Sequence, residues 1–387
     1  MLPVDRLRGV TVLRCGRVSA AVLSVVLVAW PAAPAVAQPP DLRGQLDDAI
    51  AAKVQEMGIP GAIVGLSIPG RIDYTTAVGV ADTATGVPLS AADHSRIGSV
   101  TKTFTGTAVL QLVDQGRIRL TDPIAMYVDG VPNGDRITLD MLGRMRSGLF
   151  NYSDDEAFQD RFFTEAPAGP DAFATTPREL VDIAFRHPPN FAPNEKFEYS
   201  NTNTVLLGMV VTRVSGLSLP DYLRQNVFAP LGLGQTTWPA NGAMPEPFTH
   251  GYLGLPDDGG VVDSTFWNPS WGDAAGAIIS DLADMKVWAA AVGRGWSLRP
   301  ETHAQRVAGT AAYPGVTYAF AIFDTHGWIG HNGDIPGYTT VSVYLPEQDA
   351  TLVVFANSDV PTDHSAGQIA TAVTSIVTPD HVYNLTG

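Results

Sequence analysis

The chain reads as an α/β protein of the α+β kind: an antiparallel sheet built from both chain ends, flanked by helices, with a mostly helical lobe inserted between them. Three observations predict it. Two apolar stretches near the start, 62–68 and 72–80, are joined by Pro69-Gly70, a hairpin signal. Helical periodicity and loops then dominate from Ser99 to about Gly293. The strand pattern returns at 327–330, 339–345 and 351–355, with 346–349 as a turn. Strands at both ends with helices between them imply one sheet made from the chain termini.

Taken in order, residues 41–57 predict an amphipathic helix. Leu42, Leu46, Ile50 and Val54 share one side, and Gly58 and Pro60 end it. The hairpin follows. A helix is expected from Ser99, because Phe104, Ala108 and Leu112 recur at helical spacing and Gly116 stands where a helix stops. Residues 153–176 read as an acidic loop. Residues 239–273 read as a second long loop, rich in proline and glycine but carrying Phe248, Tyr252, Phe266, Trp267 and Trp271. Long loops inside domains tend to be functional lids, and these aromatics are expected to find burial in a substrate cleft. A last helix is expected over 366–377.

The first 37 residues predict a secretory leader. Arg6, Arg8, Arg14 and Arg17 make a basic start, residues 18–30 an apolar run, and Ala35-Val36-Ala37 a cleavage site. Cleavage and export, to the medium or the cell envelope, are the expectation, with no membrane anchor because the apolar run is short. The single cysteine, Cys15, lies in this leader, so the mature chain has none and its stability must come from its core. Residues 38–387 are expected to form one domain. Its sheet lobe covers about 38–98 and 294–387, and its helical lobe about 99–293. The net charge of −15 becomes −18 once the leader is removed, which makes nucleic acid and anionic membrane surfaces unsuitable partners.

The chemistry concentrates in three short motifs. Ser99-Val-Thr-Lys102 puts one of only four lysines three residues after a serine, on the same face of the expected helix. A weak alcohol nucleophile beside a potential base at a helix N-terminus is the start of covalent acyl transfer. Tyr199-Ser200-Asn201 opens an apolar helix at 204–214. A phenol can pass a proton between nucleophile and leaving group, and Asn201 can hydrogen-bond a substrate carbonyl and a lysine. His331-Asn332-Gly333 lies on a C-terminal strand and is followed by Asp334, and glycine there lets a substrate backbone approach.

In this order and spacing the three motifs resemble the serine β-lactamase and DD-peptidase (penicillin-binding) family, closest to its class C β-lactamase and exported D-alanyl-D-alanine carboxypeptidase branch. Ser147-Gly-Leu149, Leu206-Leu-Gly208, Pro230-Leu-Gly232 and the run from Trp271 to Ser280 extend the similarity over most of the chain. The resemblance implies a β-lactamase/transpeptidase-like fold. It implies Ser99 as the acylated nucleophile and Lys102 and Tyr199 as its proton-transfer partners, leaving open which of the two is the base. It also implies an oxyanion hole from the backbone N–H groups of Ser99 and Asp334, and a pocket shaped by Asn201, His331, Gly333, Asp334 and Trp271. No cofactor follows. The partners implied are a small-molecule or peptidoglycan peptide substrate, with β-lactams as inhibitors or substrates.

The chain departs from that branch where the substrate carboxylate would be held. The usual H-T-G-T is His331-Asn-Gly-Asp334, and Phe323, on a strand expected over 318–323, stands where an arginine would serve. Arg146 is the candidate replacement charge. The expected activity is D-alanyl-D-alanine carboxypeptidase, with a carboxylesterase or a class C-like β-lactamase as alternatives within the same chemistry. A non-catalytic binding protein is disfavoured by the intact Ser99, Lys102, Tyr199 and Asn201. No G-x-S-x-G elbow, H-E-x-x-H or phosphate-binding glycine loop is present, so neither an α/β-hydrolase triad nor a metal centre is expected.

Overall fold

Helix α1 (Leu42–Met57) starts where Asp41 caps it, its carboxylate accepting from the Arg43 N–H, and buries Leu46, Ile50, Val54 and Met57. The apolar stripe thus lies on the side the spacing predicted. The computed structural model describes residues 41–255, 260–360 and 364–385. The leader read in residues 1–37 lies outside them. Strands β1 (Gly61–Ile68) and β2 (Ile72–Gly79) form the expected hairpin around Pro69-Gly70.

The other six strands of the sheet come from the far end of the chain. They are β3 (Thr310–Tyr313), β4 (Val316–Tyr318), β5 (Phe323–Thr325), β6 (Trp328–Ile335), β7 (Tyr338–Leu345) and β8 (Ala350–Ala356). The eight-stranded order is β2-β1-β8-β7-β6-β5-β4-β3, with every neighbouring pair antiparallel. The N-terminal hairpin therefore adds to the C-terminal strands through β1 and β8, as expected for a sheet made from both termini. Every residue of β7 and β8 is buried, because both faces of the sheet are covered.

Between the terminal strand sets run α2 (Thr101–Asp114), α3 (Glu156–Glu165), α4 (Asn201–Ser215), the short α5 (Asp273–Gly276) and α6 (Leu282–Gly293). Helix α7 (Ser365–Val377) follows the last strand. Helices α1 and α7 cover one sheet face, where Leu46 and Ile50 meet Val64, Leu66, Leu352, Val354, Ile369 and Val373. On the other face Ile63, Val353 and Phe355 pack with Leu282, Met285 and Trp288 of α6. Helix α2 lies at the centre of this second core. It is buried from Thr101 to Leu112, and Phe104 stacks on Trp288 with ring centroids 3.9 Å apart.

Three expectations change. The stretch 153–176 is not a continuous loop: it contains α3, capped by Asp155 accepting from the Phe158 N–H, with Phe158 and Phe162 buried one turn apart. The expected strand over 318–323 is broken. Ala321 turns left-handed (φ 56°), the Ala319 N–H donates to the Ile322 carbonyl, and the chain splits into β4 and β5 around buried Phe320. The tryptophans of 239–273 pack against α3 rather than in a cleft, and Phe266 stays exposed. Trp267 and Trp271 pack on Phe162, with ring centroids 5.4 and 5.1 Å away.

Candidate active site

Ser99 sits in a 3-10 turn, Gly98–Val100, that leads directly into α2. This places Lys102 one helical turn beyond it. The Nζ of Lys102 lies 2.8 Å from Ser99 Oγ and 3.0 Å from the Ala275 carbonyl of α5. It also lies 4.8 Å from the centre of the Tyr199 ring. Lys102 is fully buried. Loss of water holds its pKa well below that of an ordinary lysine, which favours the uncharged amine beside the serine hydroxyl.

The loop before α4 delivers Tyr199. It is fixed by the Glu198 N–H donating to the Met145 carbonyl and the Asn194 N–H donating to the Arg146 carbonyl, at 2.9 and 2.8 Å. The Tyr199 hydroxyl donates to Ser99 Oγ at 2.9 Å. Burial pushes this phenol upward, so it stays protonated and can act as a donor. Ser99 thus has a neutral amine on one side and a neutral phenol on the other. The arrangement can take the hydroxyl proton onto Nζ and supply a different proton through the phenol.

Strand β6 forms the facing wall. The chain at Gly98 has φ 48° and touches β6 backbone to backbone: a Cβ there would stand 2.8 Å from the Asp334 nitrogen. A Cβ on Gly333 would stand 2.0 Å from the Ile97 carbonyl oxygen and 3.2 Å from the Ser99 nitrogen. Two positions without side chains therefore bring the backbone of Ser99 and Asp334 together, which is what a two-donor oxyanion site requires. His331 of β6 is buried. Its Nδ1–H donates to the Asn332 carbonyl at 2.5 Å, and its Nε2 accepts from the Tyr318 hydroxyl at 3.0 Å. Desolvation, with Lys102 nearby, pushes its pKa down to about 3, so the ring is a neutral spacer that orients Tyr318.

A cavity of about 370 Å³ opens in front of Ser99. Phe197, Tyr313, Tyr318 and Phe323 wall one side, and Asn332, Asp334 and His364 stand at its polar end. The Asp334 carboxylate lies 3.7 Å from His364 Nδ1. Among the described residues that line this cavity there is no arginine or lysine. Phe323, noted in the sequence for replacing an arginine, is on the wall. Phe197, Tyr313, Tyr318 and His364 also line the cavity, and no motif in the sequence marks them as site residues. The Ala275 carbonyl that holds Lys102 lies in the quoted Trp271–Ser280 run, but no residue pattern marks a backbone acceptor.

Three expected contributors are placed elsewhere. The Asn201 side chain donates to Ser153 Oγ at 3.2 Å rather than to Lys102, because the Tyr152–Asp154 turn lies against the start of α4. Trp271 packs its ring on Phe162, and its carbonyl accepts from the Tyr152 hydroxyl at 2.6 Å, so it does not line the Ser99 cavity. Arg146 is held by Asn194 through both its side-chain and backbone oxygens and supplies no charge to the cavity. Among the described residues no cluster of three His, Cys, Asp or Glu could hold a metal ion, and no helix is long and apolar enough to cross a membrane.

Comparison with known proteins places this geometry in a family. The chain is similar to the protein Flp of Staphylococcus aureus (strain MRSA252), 26% identical over 330 residues, which cover 82% of this chain and 63% of Flp. The chain thus spans less than two thirds of the length of the curated relatives it matches first. Among solved structures it is similar to a D-stereospecific amidohydrolase from Streptomyces sp. (30% identity, TM-score 0.78, 88% of this chain and 99% of that one). It is also similar to the D-amino acid amidase of Ochrobactrum anthropi SV3 in complex with L-phenylalanine amide (28% identity, TM-score 0.75, 88% and 97%). The family model described as Beta-lactamase matches residues 46–374, and with Ser99, Lys102 and Tyr199 gathered at one point of that fold, the chain belongs to the beta-lactamase family of serine hydrolases.

Proposed function

We propose that the chain hydrolyses amides or esters of D-amino acids with bulky apolar side chains, through an acyl-enzyme on Ser99. One observation carries the choice of substrate: the cavity at Ser99 is walled by aromatic rings and carries the Asp334 carboxylate but no guanidinium or ammonium side chain. A carboxypeptidase must hold the free carboxylate of its leaving residue, and Asp334 opposes that charge while Arg146 is engaged elsewhere. An amino-acid amide has no such carboxylate. Its free α-ammonium suits Asp334, and an apolar side chain suits Phe197, Tyr318 and Phe323. The amidohydrolase and amidase named above support the same class.

In this reading Ser99 Oγ attacks the amide carbonyl while its proton moves to the uncharged Lys102 Nζ. The oxyanion settles between the N–H groups of Ser99 and Asp334, each such donor contributing about 3–4 kcal/mol in the transition state. Tyr199 gives its proton to the departing nitrogen and recovers one from the Lys102 ammonium. The C–N bond breaks and the acyl ester remains on Oγ. Water then attacks the ester with the same groups in reverse roles, releasing the D-amino acid. Lys102 is the base here because it is the group held uncharged, whereas Tyr199 is held protonated.

The test is a single comparison at equal enzyme concentration: turnover of D-phenylalanine amide, L-phenylalanine amide, a D-Ala-D-Ala peptide, a short-chain nitrophenyl ester and nitrocefin. D-Phenylalanine amide is expected to turn over fastest, and a fluorophosphonate is expected to label Ser99 in the wild type and not in Ser99→Ala. Preference for the D-Ala-D-Ala peptide would return the reading to carboxypeptidase. No adduct on Ser99 would remove the covalent mechanism.

A further inference from the structure

A second cavity, of about 660 Å³, shares no lining residue with the Ser99 cavity. Its apolar surface comes mainly from Val128, Met209, Leu219 and Trp238, and Asp273 lines it from the start of α5. The volume falls in the range of small-molecule sites, and an apolar wall with a few polar groups, here Asp273, Thr212 and Ser218 with Arg178 and Arg213, is their usual chemistry.

Asp273 is an unusual residue to find there. Its backbone is left-handed, at φ 35°, a conformation that L residues with a side chain rarely adopt. The turn that holds it is fixed from behind: the Ala274 carbonyl accepts from Thr105 Oγ1 at 2.8 Å and the Ala275 carbonyl from Lys102 Nζ at 3.0 Å. The carboxylate accepts the Ala274 N–H, and no cation among the described residues pairs with it. Surrounding protein strips away part of its water and pushes its pKa up to about 6. Arg178 at the rim is already engaged by Asp182 at 2.6 Å and by the Asp129 carbonyl, and Arg213 is exposed at the mouth. A half-buried carboxylate without a counter-charge is costly, and a ligand cation placed on it would offset that cost.

We propose that this cavity binds a small organic amine, its ammonium on Asp273 and its aromatic or branched aliphatic body between Met209, Leu219 and Trp238. The site shares no lining residue with the Ser99 cavity and does not depend on which substrate that cavity takes.

The probe is 4-phenylbutylamine, titrated calorimetrically into the full chain beside its uncharged counterpart 4-phenylbutan-1-ol. In Asp334→Asn, whose other cavity lacks its carboxylate, the amine is expected to bind one equivalent saturably, and the alcohol at least tenfold more weakly. Asp273→Asn is expected to weaken the amine about tenfold or more and leave the alcohol unchanged. Met209→Trp, which fills the apolar end from a partly exposed helix face, is expected to block both and serves if Asp273→Asn does not fold. Asp334→Asn, at the other cavity, is expected to leave the amine affinity as it was. Absence of saturable binding would overturn the proposal. So would amine affinity that survives Asp273→Asn or Met209→Trp, or that is lost in Asp334→Asn. Failure to hydrolyse D-amino-acid amides would bear only on the proposed function.

Discussion

Lys102 shows how one residue trades stability for chemistry. An amine with no water and no acid partner is expelled from its charged form, and that same expulsion makes it a base beside Ser99 at neutral pH. The native chain therefore lacks a proton that the unfolded chain binds below a pKa of about 10.4. Down to the lowered folded value, stability must rise as pH rises. Lys102→Met is expected to stabilise the fold by on the order of 1 kcal/mol at pH 7 and to flatten that rise in denaturant titrations. It should also slow acylation of Ser99 by roughly 10²–10⁴-fold. Near wild-type acylation by this variant would refute the base. Asp334 works differently, because its backbone N–H and its carboxylate have separate tasks. Asp334→Asn keeps the N–H, so kcat for D-phenylalanine amide should stay within a few-fold while KM rises about tenfold. An equal fall in kcat would show that the side chain acts on the reacting atoms instead.

At the scale of elements, the site depends on how closely the Gly98–Val100 turn and β6 approach. Gly333→Ala places a methyl where the Ile97 carbonyl oxygen already lies, 2.0 Å away, so β6 must move off the turn. The expected result is a loss of about 10²–10³-fold in kcat, the usual effect of spoiling one oxyanion donor. A stability loss of about 2–4 kcal/mol should accompany it, read by denaturant titration. Much of this arrangement was legible in the chain. Helix α1, the hairpin, the start of α2 and the last strands follow from local periodicity, and Ser99 meets Lys102 because residues three apart share a helix face. What was not legible is decided by distant partners. Helix α3 hides behind acidic residues, because its apolar signal is little more than Phe158 and Phe162. The break between β4 and β5 depends on burying Phe320 against Gly143, which is distant in the chain. Asn201 has the right spacing for a site residue, yet Ser153 takes its amide. Trp271 is captured by an aromatic cluster that forms only when α3 exists.

The molecule as a whole encloses several ionisable groups between its covered sheet and its helices, and two of them give opposite responses to acid. His331 is neutral in the native state down to a pKa of about 3, against about 6.5 when unfolded. Between those values the unfolded chain binds the extra proton, so this residue withdraws stability as pH falls from 6.5 to 3, by on the order of 3–5 kcal/mol. Asp273 runs the other way. Its carboxyl is raised to about 6 from 3.8, so the native state holds the extra proton between those values. Its burial therefore destabilises fully above pH 6, and the penalty fades as pH falls to 3.8. Two variants separate these contributions. Asp273→Asn should gain about 1–3 kcal/mol over the wild type at pH 7 and nothing at pH 3.5. His331→Gln loses the Tyr318 hydrogen bond and should be less stable than the wild type at pH 7, but the gap should close or reverse toward pH 3.5. Urea titrations at pH 7, 5 and 3.5 measure both differences. Parallel stability curves for the wild type and both variants would mean that neither group is held as its burial requires.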